Sequence, residues 1–473
     1  MNDVNAAAGI AYLSVAELTA RYRDRSLSPR EALAAVLERI DAFNGAVNAF
    51  RFVDRVGAMA AAEASEARWM NGAPLGPLDG VPASVKDIVP VKGWSTSYGS
   101  SVLAETGTAR EDAPSVARLR EAGAVLLGLT NTPEIGWKGV TDSLAHGITR
   151  NPWNLDRTPG GSSGGAAAAC ALGMGALHIG TDGGGSIRIP AAFTGLFGIK
   201  ASFGRVPSYP ASAFGTLAHI GPLTRCVEDA AVMLNTLSRP DARDWYSLPY
   251  DGRSYTEGLE NGVTGLKVAF SPTLGYAAVD PEITALVRKA AEALAALGAN
   301  IEEVDPGFDC PQEVFHKLWF PPAAYRCRHL TDAQRKQLDP GLQEIIEQSQ
   351  AWDLTDFMQA TQDRAALGTH MRKFHEEYDL LLTPTLPVTA FRAGDEVAND
   401  AHSRWTDWAA FTYPFNLTQQ PAASIPCGFT ADGLPAGLQI VGRMHDEATV
   451  LRAARAYETV HPLAMPEEPM NER

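Results

Sequence analysis

The sequence predicts an α/β fold in which a large mixed β-sheet lies between helical layers. The first observation is a recurring set of short apolar runs suited to buried strands: Val125 to Leu129, ALHIGTD at 176–182, LKVAFSP at 266–272, YDLLLTPTLPV at 378–388, AASIPCGF at 422–429 and AGLQIVGR at 436–443. The second is that helical periodicity fills the intervals. In 280–304, Ile283, Leu286, Val287, Leu294 and Leu297 recur at 3.6-residue spacing, and 115–134 reads as helix, glycine turn and strand. The third is that no internal repeat or low-complexity linker interrupts the alternation, so strands and helices belong to one architecture.

Each element has a local reason. SVAELTARYRDRSLSPREALAAVLERIDAFN places Leu18, Ala32, Leu33, Val36, Leu37 and Ile40 on apolar faces, with Ser28 and Pro29 as a start signal, and predicts two helices packed as an N-terminal collar. The run LDGVPASVKDIVPVKG is β-rich, is broken by glycine and proline, and carries one lysine, Lys86, among apolar neighbours. Residues 305–415 are unusually aromatic, with Phe315, Trp319, Trp405 and Trp408 among many others, and their helices are separated by prolines. Such aromatics serve either as the core of a helical layer or as an apolar cover over a site.

The 473 residues, 45% hydrophobic, suffice for a large core, either one big α/β domain or two or three ordinary ones. With 40 Lys and Arg against 55 Asp and Glu, the net charge is −15, which argues against a nucleic-acid binder. The cysteines Cys170, Cys226, Cys310, Cys327 and Cys427 are odd in number, scattered and without a C-x-x-C pair, which fits free thiols in a reducing compartment. The N-terminal thirty residues lack the pattern of a signal peptide, and no apolar run reaches membrane-spanning length. A cytoplasmic protein with no membrane partner is the expectation.

Chemistry is concentrated between residues 158 and 197, where Ser162 lies in TPGGSSGGAAAA and Ser186 in GTDGGGSIRIPAAFTG, 24 residues on. A flexible linker would need polar flanks, yet this stretch runs into AAAACAL and then a strand. A phosphate cradle would need G-x-x-x-x-G-K-[ST] or a strand followed by G-x-G-x-x-G, and neither is present. GGSSG matches the G-x-S-x-G of a nucleophile elbow, but the preceding NPWNLDRTP reads as loop where an elbow needs a buried strand. Covalent chemistry by one of these serines is the reading that remains, with the elbow and a downstream histidine base as its weaker form.

GGSSGG, the later TDGGGSIR and the upstream G-V-P-x-x-V-K-D together resemble the amidase signature family. The resemblance continues through IPAAFTGLFGIKASFGRVP, HIGPLTR and QQPAASIPCGF to LPAGLQIVG, from about residue 10 to 460, and is most specific over 158–205. It implies an amidase signature fold as a single domain over 1–473, with about 60–230 as catalytic core and about 305–415 covering the substrate pocket. It also implies a Ser-cisSer-Lys triad in which Ser186 is the nucleophile, Ser162 the bridging serine next to a cis peptide bond, and Lys86 the base.

That chemistry sets a condition on Lys86. An ordinary lysine has a pKa of about 10.4, so a base working near neutrality must be held uncharged by burial, for which Val81, Pro82, Val85, Ile88 and Val89 offer an apolar setting. Asp87 would oppose the shift, so it is expected to face elsewhere. Gly183, Gly184 and Gly185 can bring backbone N–H groups, with that of Ser186, up to a developing oxyanion. The family often has a larger residue at the position of Gly183, so a more open or mobile floor is expected there. For Ser163, Thr181, Asp182 and Arg188 a structural role and a supporting catalytic one stand equally.

Other clusters are discounted. His370 and His375 are five apart and share no helix face, so no metal is implied; His178 reads as a neutral core histidine and Cys170 as packing. The resemblance implies no cofactor. The expected reaction is hydrolysis of a carboxylic amide through an acyl-enzyme, with a small-molecule amide, carbamate (urethane) or aryl ester as partner and a monomer or homodimer as the unit. The aromatic segment favours apolar or aryl substrates over small polar amides. A glutaminase like the A-subunit of the glutamyl-tRNA amidotransferase is the alternative, though Thr194 stands where that protein more often has cysteine.

Overall fold

A computed structural model describes residues 9–104, 107–466 and 468. Its strands are β1 (Phe50–Val53), β2 (Pro82–Lys86), β3 (Val125–Thr130), β4 (Asp142–Ser143), β5 (Gly147–Ile148), β6 (Leu177–Asp182), β7 (Phe197–Lys200), β8 (His219–Thr224), β9 (Lys267–Phe270), β10 (Asn300–Glu303), β11 (Leu380–Pro384), β12 (Ala422–Phe429) and β13 (Pro435–Gly442). All but the β4–β5 hairpin form an eleven-stranded sheet in the order β1-β3-β2-β6-β8-β7-β12-β13-β11-β9-β10. Pairings of β2 with β3 and β6 are parallel, and those of β8 with β6 and β7 are antiparallel, so the sheet is mixed as predicted.

Helices cover both faces. The largest core packs Val116 and Leu119 (helix Pro114–Glu121), Leu234 and Leu237 (Val227–Leu237), Val287 and Leu294 (Pro281–Ala296) and Leu451 (Glu447–Val460) against Ala83, Val85, Ile179, Ile199 and Leu438 of the sheet. On other surfaces the helices Pro29–Val47 and Gly164–Ala171 and the aromatic segment build separate clusters. The N-terminal collar forms as its caps dictate. Ser14 with Glu17 and Ser28 with Glu31 make capping boxes, and Pro29 occupies the first turn of the second helix.

Strand alternation aims the chemistry. Along β2, Ala83 and Val85 enter the main core, which leaves Ser84 and Lys86 on the opposite face. Parallel pairing of β2 with β6 brings their C-terminal ends to one edge, where Lys86 meets Thr181. Helix Gly164–Ala171 can lie close against this face because it is made of small residues, all of them buried. A Cβ at Gly165 would stand 2.4 Å from the Asn131 nitrogen. Among the described residues no helix is long and apolar enough to cross a membrane.

Candidate active site

Lys86 closes β2 with none of its surface exposed. Its Nζ lies 2.6 Å from Ser162 Oγ, 2.9 Å from Ser163 Oγ and 3.0 Å from Thr181 Oγ1. Three hydroxyls and no carboxylate surround the amine. Burial pushes its pKa well below the ordinary lysine value, and the more distant Asp182 charge only partly opposes this. A neutral amine has two N–H donors and one lone pair, so one of the three hydroxyls must donate to it. Ser163 is not that one, because its proton goes to the Thr181 carbonyl at 3.1 Å. The shortest contact, to Ser162, is suited to an O–H donated to Nζ.

Asp87, next along the chain, turns away from the amine as expected. Its carboxylate is held by Arg51 and by the Ser97 hydroxyl and N–H. The Gly161–Ser162 peptide bond is cis. Ser186 is nearly buried, and its carbonyl accepts the Ser163 N–H at 3.2 Å, which ties the two serine loops together. No hydrogen bond joins the Ser162 and Ser186 hydroxyls among the described residues, but both line the same cavity.

Asp182 and Arg188 organise the loop that carries Ser186. Arg188 donates from Nε to Oδ2 at 3.0 Å and from Nη2 to Oδ1 at 2.9 Å, and its remaining donors reach Asn416 Oδ1, Gln439 Oε1 and the Thr412 carbonyl. Burial alone would raise the Asp182 pKa, but Arg188, with smaller contributions from Lys200 and Asn416, holds it well below the usual carboxylate range. The same carboxylate accepts the Gly185 N–H at 2.8 Å and the Ile187 N–H at 3.2 Å. The Gly185 amide is therefore engaged inside the loop.

The three glycines are walled in, not open. A Cβ at Gly183 would meet Trp319 at 2.7 Å, one at Gly184 would meet Phe315 and Trp405 at 2.8 Å, and one at Gly185 would meet Thr412 at 2.4 Å. The expected open floor at Gly183 is thus corrected. Trp319 takes the space, its Nε1 donating to the Trp137 carbonyl at 3.0 Å.

A cavity of about 410 Å³ opens beside the serines. Besides Ser162, Thr181, Gly183 and Ser186, its wall includes Ile88, Val89, Tyr98, Ile135, Phe214, Trp319, Tyr325 and Arg326. Phe214 ends a column of stacked rings: its centroid is 3.7 Å from that of Trp319, which lies 5.3 Å from Phe315, itself 4.9 Å from Tyr413.

A family model described as Amidase matches residues 31–451, a span that includes Lys86 and both serines. The chain belongs to the amidase signature family. It is 39% identical over 461 residues to an acylamidase of Rhodococcus erythropolis, covering 96% of each chain. It is 38% identical over 475 residues to the A-subunit of the glutamyl-tRNA(Gln) amidotransferase of Myxococcus xanthus, covering 95% of this chain and 97% of that one. The crystal structure of a bacterial aryl acylamidase, described as an amidase signature enzyme, superposes with a TM-score of 0.89 at 33% identity, over 95% of this chain and 96% of that one.

Several wall residues of this amidase signature protein carry no sequence signal. Ser208 to Phe214 form one side of the cavity, yet SYPASAF has neither periodicity nor a chemical pattern. Tyr98 and Ile135 reach it from distant loops, Ile135 with a positive φ of 48° in a tight turn leading into Gly136. Asn416, Gln439 and Thr412 around Arg188 lie more than 220 residues downstream of it. Of the aromatics in 305–415, Trp319 and Tyr325 line the cavity, whereas Phe320, Trp408, Phe411 and Phe415 are core.

The discounted residues behave as side chains with structural partners. His178 accepts from Ser84 Oγ and donates to the Gly175 carbonyl, and burial lowers its pKa to about 3, so it is neutral. His370 donates to the Pro306 carbonyl and His375 to that of Tyr378, in separate environments. Burial pushes the Cys170 thiol up to about 12, and the five cysteines are unpaired.

Proposed function

We propose that this protein hydrolyses the C–N bond of carboxylic amides through an acyl-enzyme on Ser186, with Ser162 and Lys86 as the proton relay. One observation carries the assignment: the buried amine of Lys86 sits among hydroxyls, without a carboxylate partner, 2.6 Å from Ser162 Oγ. Ser186 Oγ attacks the carbonyl carbon and gives its proton to Ser162, whose own proton passes to the Lys86 lone pair. The link between the two serine hydroxyls tightens when substrate fills the cavity, as catalytic hydrogen bonds often do.

The oxyanion would be met by backbone N–H groups of Gly183, Gly184 and Ser186, since that of Gly185 is given to Asp182. Ser163 and Thr181 hold the amine, and Asp182 with Arg188 hold the loop. Collapse of the tetrahedral intermediate expels the amine, protonated through the relay, and water then cleaves the ester by the same route in reverse. No cofactor takes part in these steps.

The ring-lined wall favours apolar or aryl substrates. Carbamates and aryl esters present the same sp² carbonyl with a leaving group and are substrates on the same reasoning. The acylamidase relationship supports the amide reading, and the amidotransferase relationship makes glutamine the necessary comparison. A turnover panel of aryl amides, fatty amides, aryl carbamates, aryl esters and glutamine, run beside Ser186→Ala, tests the reading. Fast turnover of aryl amides that disappears in the variant is expected. Turnover of glutamine alone, or activity surviving the substitution, overturns it.

A further inference from the structure

The cavity has one fixed charge that the proposed reaction does not use. Among its described lining residues there is no Asp or Glu, His219 is neutral because burial pushes its pKa well below the ordinary value, and Arg326 alone carries a formal charge. The chain has 55 acidic residues against 40 basic ones, yet none of the ion pairs among the described residues includes Arg326. The buried acid on this side, Glu134, already accepts from Ser100 Oγ and from the Asp339 N–H. The guanidinium is held over the Tyr98 ring, 4.8 Å from its centroid, and Tyr98 is itself part of the wall.

Arg326 and Trp319 share the helix Gln312–Arg326. Trp319 stands against Gly183, and seven residues at the usual helical rise put Arg326 about 10 Å farther along the axis. The guanidinium, which lines the cavity over Tyr98, is thus carried about two helical turns from the ring that covers Gly183. It is planar, permanently charged and half-buried, which suits it to a carboxylate presented at the end of an apolar spacer.

We propose that Arg326 forms an anion subsite that selects substrates carrying a carboxylate distal to the scissile bond, separated from it by an aryl ring or a short alkyl chain. This rests on reading the cavity as the place where the acyl and amine parts bind. The contact is an ion pair at a partly solvated rim, so it adds affinity and is weakened by salt.

The test compares kcat/KM for charged and neutral partners in two series. On the amine side, 4-acetamidophenylacetate is set against its methyl ester; on the acyl side, adipic acid monoanilide is set against hexananilide. The wild type is expected to favour the carboxylate in one series. Arg326→Gln is expected to reduce that ratio about five- to tenfold, Arg326→Lys to keep part of it, and 0.5 M NaCl to shrink it. Which series responds identifies the arm that faces Arg326.

A binding measurement keeps the proposal separable from the catalytic reading. Calorimetric titration of Ser186→Ala and Ser186→Ala/Arg326→Gln with adipic acid monoanilide and 4-acetamidophenylacetate needs no turnover. Weaker binding of either ligand in the double variant supports the subsite even if the reaction has been misassigned. Charged-to-neutral ratios and affinities that Arg326→Gln leaves unchanged for both ligands overturn it.

Discussion

Trp319 occupies the space in front of Gly183: a Cβ built on that glycine would fall 2.7 Å from Cζ3 and 2.8 Å from Cη2 of the indole. The glycine is required by a neighbour and not by its own backbone. The ring is locked by its bond to the Trp137 carbonyl and by stacking between Phe214 and Phe315. A side chain at position 183 must therefore displace a tryptophan that has nowhere to go. Gly183→Val is expected to cost about 1 to 3 kcal/mol of stability, as overpacking does, and at least tenfold in kcat/KM. Because the clash is steric, Gly183→Val/Trp319→Leu should recover much of both, read by thermal melts and anilide turnover.

The buried amine of Lys86 predicts two pH dependences. In the proposed relay its neutral form is the base, so kcat/KM should fall as pH drops through its folded pKa, which burial places well below the ordinary value of about 10.4. In that window the unfolded chain binds the proton that the native state does not, so wild-type stability rises with pH. Relative to Lys86→Met, which has no such proton, the wild type should gain about 1.4 kcal/mol per pH unit between the folded and unfolded pKa values. Denaturant melts of the two proteins across pH check the slope.

Arg188 is the counter-charge of a buried carboxylate that acts on Lys86. Arg188→Met leaves Asp182 buried without its counter-charge, which should cost about 3 to 5 kcal/mol. The Asp182 charge raises the Lys86 pKa. The variant's acidic limb in kcat/KM is therefore expected to move to higher pH, and Arg188→Met/Asp182→Asn should move it back. A pH-rate profile distinguishes this from simple loss of fold.

Phe214 ends the ring column and faces the cavity. Phe214→Leu removes a stacking partner worth about 0.5 to 1.5 kcal/mol for an aromatic substrate while leaving an apolar wall. Benzanilide-type substrates should lose about two- to tenfold in kcat/KM relative to fatty amides of similar size. Equal losses on both would show that the substrate ring lies elsewhere.

The central strands are legible in the sequence where they are buried on both faces and read as continuous apolar runs, unlike the part-exposed edge strands β1 and β10, and the second collar helix because Ser28 and Pro29 are local start signals. Glycine-rich runs mark the two serines, while Lys86 and the separate roles of the three residues come from the resemblance of their runs to the amidase signature family. The floor at Gly183 is not legible, because a glycine says that a Cβ is excluded but not by what. Trp319, 136 residues later, supplies the reason only through tertiary packing. The 208–214 wall and the Asn416 and Gln439 partners of Arg188 are illegible for the same cause, since their partners lie far away in sequence.

The proposed mechanism stands or falls on Ser186 carrying the acyl group while Ser162 passes the proton. Rapid quenching of the enzyme with an activated aryl carbamate, followed by mass spectrometry of its peptides, tests it most directly. The predicted result is a single carbamoyl adduct on Ser186, formed in the wild type, slowed about 10² to 10⁴-fold in Ser162→Ala and absent in Ser186→Ala. An adduct on Ser162, or full turnover without any adduct on Ser186, would contradict it.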